Sequence, residues 1–337
     1  MRSPKNFRSQ LSWDKGVGIF LFVTVIVGWF VTPDFATVSN LGFIVQDIGE
    51  ILIIALPMTF LIIAGEIDLS VASTLSLASS TIGYSYRHGI NFGLAIILGL
   101  IVGIICGLIN GLLVNYLGLQ SLAVTIGTLG LYRGLCFVLL GNNPVNQLPA
   151  FWTNLGVNNI PHTFLPWSFV LILPFSIAGI VILHRTIIGR WTFVTGISAE
   201  AAIFAGIPVK RFKLSLFIST GFMSGVAAVV YTIRFASASP DSATGYELSV
   251  IAAVLFGGVS IAGGFGTMWG VLFSVIELGV IRSVLQLVNF TANALQIVSG
   301  VLLLFSVAFP RVIEMFKTRR EARAIQTVTS LTSSRSV

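Results

Sequence analysis

Eight charged side chains stand within or beside long apolar runs of this sequence: Asp47, Glu50, Glu66, Asp68, Arg133, Arg234, Glu277 and Arg282. A charge in a membrane interior costs about 2.5 kcal/mol or more on insertion scales, so each must pair, relay protons or serve a pathway. Asp68 lies two residues before Ser70, from where it can cap a helix and meet its N-terminal dipole. Direct solute contact is the weaker alternative for it. Glu277 and Arg282 are five apart, off the spacing that pairs best on one helix face, so partners on other elements are expected. Arg133 and Arg234 are expected to snorkel towards an outer surface. Asn110, Asn115, Ser121, Thr125 and Thr128 gather in two neighbouring apolar runs. Such groups suit the hydroxyls of a neutral sugar, and hydrogen bonding between helices explains them as well.

Catalytic constellations are missing from the sequence. There is no His-Glu-x-x-His, no Gly-x-Ser-x-Gly and no dense carboxylate–histidine group, which disfavours an enzyme. His88, His162 and His184 are isolated, and Cys106 and Cys136 sit in apolar runs without metal or disulfide spacing. Metal and cofactor binding are therefore not expected. Gly257-Gly258 and Gly263-Gly264-Phe265-Gly266 have no Lys after them and do not form a phosphate loop. They read as tight turns or as a broken helix beside a permeation path.

One segment has the signs of a short, deliberately ended helix. Ser198 is a plausible N-cap, Glu200 falls in the first turn, Gly206 can stop the helix and Pro208 prevents its continuation. Arg190, Lys210, Arg211 and Lys213 surround it. Its physics fits two roles: a connector lying on anionic lipid, or a docking element for a soluble partner.

The elements that must carry these residues follow from composition. The 337 residues are 55% hydrophobic and only 9% charged, too little charge to cover a water-facing surface. Apolar runs recur from Val17 to Phe309, long enough for membrane helices and too unalternating for barrel strands. The expected fold is an all-α transmembrane bundle of about ten spans, near 16–32, 48–65, 69–86, 92–116, 121–140, 166–184, 214–234, 248–262, 267–287 and 293–310. The pairs 48–65/69–86 and 248–262/267–287 are short enough to be broken or re-entrant. Gly99, Gly103, Gly107 and Gly111 mark one helix face for close packing. Residues 1–15 and 311–337 are expected as cytoplasmic tails around a membrane domain at 16–310, with a cytoplasmic loop at 185–213. The first apolar stretch reads as a retained span rather than a cleaved leader. The net charge of +7 is concentrated in the two tails and that loop, a positive-inside pattern that argues against nucleic acid.

Glu200-Ala201-Ala202 with Gly206 resembles the loop by which permeases of ATP-binding-cassette importers engage their ATPase. Residues 64–73 (Ala-Gly-Glu-Ile-Asp-Leu-Ser-Val-Ala-Ser), Thr125–Leu129, Arg133–Leu135, His184–Thr186 with Gly189-Arg190, Ala236–Leu248 and Ala252–Gly258 resemble bacterial monosaccharide permeases. The branch is that of ribose, xylose, galactose, rhamnose and autoinducer-2, and the likeness runs from about residue 40 to 310. Glu66 departs from it, standing where the branch usually has Gly, and is expected to mark an atypical member. The resemblance implies a multi-pass permease of the bacterial inner membrane that moves a sugar-like solute by alternating access. It implies a cytoplasmic ATPase that alone consumes ATP, a periplasmic substrate-binding protein and a second permease subunit, identical or different. Glu200, Ala201, Ala202, Gly206, Lys210 and Arg211 are the expected docking residues. Glu66, Asp68, Ser70, Asn110, Thr125 and Thr128 are candidates for the pathway or its framework. On physics alone an ion-coupled carrier is the rival; the loop at Glu200 favours the ATP-driven importer.

Overall fold

The computed structural model describes residues 5–291 and isolated positions 297, 300, 301 and 304. The crossing expected at 293–310 and the tail at 311–337 lie outside this range, those isolated positions apart. Among the described residues the chain forms α1 (Lys5–Val31), α2 (Val38–Ile63), α3 (Val71–Arg87), α4 (Phe92–Asn115), α5 (Ser121–Leu140) and α6 (Ala150–Val157). After these come α7 (Phe169–Arg185), α8 (Ile187–Ile197), α9 (Ala199–Phe204), α10 (Val209–Arg234), α11 (Tyr246–Phe256) and α12 (Met268–Leu287). Among the described residues six helices are long and apolar enough to cross a membrane, and a seventh crossing arises if α7 and α8, bent by 65° at their junction, count as one. Helix α3 is serine-rich, and α11, with 11 residues, covers about half of a hydrocarbon core.

Helix α2 forms the axis. From Gly49 to Ile63 every one of its residues is buried, as expected for a helix that is apolar all round. Helices α7, α10, α11 and α12 pack around it. The most extensive helix pair is α4 with α10. A Cβ on Gly103 would stand 2.5 Å from the Gly221 carbonyl oxygen, so the two backbones touch along the glycine face. On the opposite face of α4, Ile97, Ile101, Ile105 and Ile109 are exposed. Small residues inside and large apolar ones outside suit a lipid surround.

The connecting segments gather at two ends. At one end the Gly264 amide donates to the Ile63 carbonyl at 2.7 Å, Thr267 Oγ1 to Asp14 Oδ1 at 2.7 Å, and Trp13 Nε1 to the Phe256 carbonyl at 2.9 Å. At the other end Val145 and Ala238 exchange backbone hydrogen bonds, and Gln46 Nε2 donates to the Gly156 carbonyl at 2.6 Å. The segment before α11 dips inward, where Ser76 of α3 and Arg133 of α5 both donate to the Pro240 carbonyl at 2.8 Å. Irregular backbone survives at membrane depth only when protein groups satisfy it. These two side chains do so.

Candidate docking helix and polar interior

Helix α9 is closed at both ends by its own sequence. Ser198 adopts an extended conformation and its side chain accepts the Ala201 amide at 3.1 Å. At the C-terminus Gly206 sits at φ +78°, its amide bonds the Ile203 carbonyl at 2.9 Å, and the Ile207 amide bonds the Ala202 carbonyl at 3.0 Å. This pair of bonds is the Schellman arrangement, completed by apolar contact between its ends. Ala202, Ile207 and Val209 supply that contact, with Trp191 against them. Glu200, Ala201, Gly206, Lys210 and Arg211 are exposed, whereas Ala202 is buried beneath the helix. The expected docking set omitted the two apolar side chains the helix displays, Ile203 (60% exposed) and Phe204 (91% exposed). Their hydrophobicity, seen in sequence, argued equally for burial.

Helix α8, directly before α9, was not anticipated. The sequence marks a loop from residue 185 whose one short helix begins after Ser198, but Thr186 is extended and turns the chain sharply into a further helix. Beside α9 opens a cavity of about 1030 Å³, lined among others by Glu66, Asn115, Gln120, Ile203, Lys210 and Lys213. Glu66 Oε1 lies 2.5 Å from Lys213 Nζ, so the residue that departs from the usual pattern carries its own counter-charge.

The other polar candidates come together deeper in the bundle. Asp68 Oδ1 accepts the Ser70 amide at 2.8 Å and the Ser70 hydroxyl at 2.6 Å. Asn110 Nδ2 donates to Ser70 Oγ at 2.8 Å, and Tyr132 Oη donates to Asn110 Oδ1 at 3.3 Å. Thr125 Oγ1 is within 3.3 Å of the Ile67 carbonyl and Ser121 Oγ accepts the Ile67 amide at 3.4 Å, gripping the same loop. Thr128 Oγ1 donates to the Thr125 carbonyl of its own helix at 3.4 Å. Asp68, Ser70, Asn110 and Thr125 are all buried, and these bonds hold the break between α2 and α3 in place.

Arg133 and Arg234 do not snorkel; each is held inside the protein. Arg133 donates to the Pro240 and Ser242 carbonyls at 2.8 and 2.9 Å. Arg234 lies 3.0 Å from Glu50 and 3.3 Å from Asp47, and Arg282 lies 3.6 Å from Asp47 and donates to Ser249 at 2.8 Å. Glu277 accepts from Thr24 of α1 at 2.7 Å. Glu277 and Arg282 thus meet other helices and not each other. The two cysteines are buried and free. Among the described residues no group of three or more His, Cys, Asp and Glu is placed to hold a metal.

Comparison with known proteins places this architecture. Residues 40–307 match the family model described as "Branched-chain amino acid transport system / permease component". The ribose import permease protein RbsC of Bacillus subtilis is 34% identical over 86% of this chain and 90% of its own length. The autoinducer 2 import system permease protein LsrD is 31% identical in Salmonella typhimurium, over 93% of this chain and 98% of the relative. The corresponding protein of an Escherichia coli strain is also 31% identical, over 88% and 91%. No solved structure matches. With most of its length aligned and six or seven apolar spans among the described residues, the chain belongs to the branched-chain amino acid transport system / permease component family, as a multi-pass inner-membrane permease of the ATP-binding-cassette importer class.

Proposed function

We propose that this chain forms the pore of an ATP-driven importer for a monosaccharide or sugar-like solute and works by alternating access. Helix α9 carries the reading. It is capped at both ends, and it holds Ile203 and Phe204 outward beside Glu200, Lys210 and Arg211. Apolar anchors within a charged rim suit the surface of a soluble protein. The named relatives import ribose and autoinducer 2, both small and polar, which supports a solute of that class.

The remaining parts follow from this reading. A cytoplasmic ATPase engages α9 and consumes the ATP, which this chain does not bind. A periplasmic substrate-binding protein meets the opposite end, where α6 and residues 141–166 lie, and a second permease subunit, identical or different, completes the pore. Counting α3, α11 and a crossing at 293–310 gives ten crossings with both termini cytoplasmic. The grouping of connecting segments at two ends supports that count.

The test is solute uptake into proteoliposomes holding this chain with the ATPase and binding protein of its own system. Uptake should require ATP inside the ATPase-accessible compartment and should cease when Glu200 is replaced by Lys. ATP-independent uptake driven by a proton or sodium gradient would assign the chain to the ion-coupled carriers instead.

A further inference from the structure

Helix α9 hangs between two helices, and both lead back to a single loop. Upstream, α8 ends at Gly196 and Ile197. A Cβ on Gly196 would meet the Gly264 nitrogen at 2.5 Å, and one on Gly264 would meet Ile197 Cγ1 at 2.6 Å. The Gly264 amide is in turn bonded to the Ile63 carbonyl at 2.7 Å. Downstream, Lys213 near the start of α10 pairs with Glu66 at 2.5 Å, both side chains only 14% exposed. Ile63 and Glu66 flank the turn that ends α2.

That loop is stiff. Gly65 at φ +85° closes α2, the Gly65 and Glu66 amides bond the Ile62 and Leu61 carbonyls at 2.9 and 3.0 Å, and Ser121 and Thr125 hold Ile67. Asp68 then fixes the first residues of α3 through Ser70. A rigid loop gripped at two points transmits a displacement that a flexible one would absorb. Lys210 and Arg211, exposed on the surface, are disposed quite differently from the largely enclosed Lys213. The three basic residues therefore need not share one role.

We infer that the Glu66–Lys213 ion pair, together with the Gly196–Gly264–Ile63 contact, is the tie that passes movement of α9 to the α2–α3 loop. Glu66 and Lys213 are positioning residues and not solute contacts. The inference rests on the reading of α9 as the ATPase-docking helix. In a partly enclosed setting an ion pair has more to lose from reversal of one partner than an exposed pair does.

A charge-swap cycle in the reconstituted complex tests it, reading solute transported per ATP hydrolysed. Glu66→Lys and Lys213→Glu should each lower that ratio by about fivefold or more, within the range for directly interacting residues. ATPase copurification and hydrolysis should persist. The double variant Glu66→Lys/Lys213→Glu should recover most of the ratio. Glu66→Gln, a milder change that keeps the side chain's shape, should give an intermediate ratio and serves if a reversal fails to insert. An unchanged ratio in the single variants, or a double variant no better than the worse single one, overturns the tie. Loss of ATPase copurification from Lys213→Glu would assign Lys213 to docking and overturn it as well. Glu200→Lys serves as the separate control: if it leaves ATPase binding and uptake intact, the docking reading itself fails, whatever the swap shows.

Discussion

The arginines inside this protein are met by acceptors where they stand. Arg234 has Glu50 and Asp47, Arg282 has Asp47, and Arg133 has two carbonyls. Removing one partner of an enclosed ion pair strands the other, at a cost of about 3–5 kcal/mol. Glu50→Leu should therefore sharply lower the thermal stability of the detergent-solubilised protein, and adding Arg234→Met should recover part of the loss. Arg133→Met takes the guanidinium donor from the Ser242 carbonyl of the inward-dipping segment and leaves the Pro240 carbonyl with Ser76 alone. A loss of about 1–3 kcal/mol is expected, measured by thermal unfolding. Sequence reading found all of these residues but gave Arg133 and Arg234 the wrong surroundings. A lone Arg near a helix end looks the same whether it reaches for water or for a carboxylate on a helix 184 residues away. Asp68 was more legible because its partner Ser70 lies two positions along the chain. Its link to Asn110, across another helix, was not.

The elements divide along the same line between local and distant causes. The limits of α4, α5 and α9 were readable because caps, glycines and apolar runs are local signals. Helix α8 was missed because only an extended Thr186 separates it from α7, with no Pro or Gly at the turn to announce the bend. The glycine face of α4 was visible as a pattern, but its partner was not. Gly103→Leu should drive α4 and α10 apart, and overpacking of this kind costs about 1–3 kcal/mol. A lower unfolding temperature and a smaller yield of folded protein should report it, while Ile101→Leu on the exposed face should be neutral. At α9, Gly206→Val puts a β-branched residue at φ +78° and breaks the Schellman end. The ATPase should then fail to copurify while the protein still inserts and unfolds cooperatively. Retained copurification would show that the end of α9 does not set the docking surface.

Across the whole molecule, buried α2, the glycine-lined α4–α10 contact and the outward isoleucines describe a body built for lipid. The membrane class was readable from composition alone, since 9% charge cannot cover a soluble surface. The number of crossings is less legible because α3 gives up hydropathy to buried serines and α11, though apolar, is only 11 residues long. Labelling of single cysteines introduced at Ile203 and Asn142 tests the proposed orientation, for the native cysteines are buried. An impermeant maleimide should reach Asn142→Cys from the periplasmic side and Ile203→Cys only after the membrane is opened. The most direct measurement of the central claim is solute uptake by proteoliposomes containing this chain, its ATPase and its binding protein, with and without ATP. Uptake that requires ATP and all three components, and disappears with Glu200→Lys, is the expected result. Uptake that proceeds without the ATPase, or that is untouched by Glu200→Lys, would contradict it.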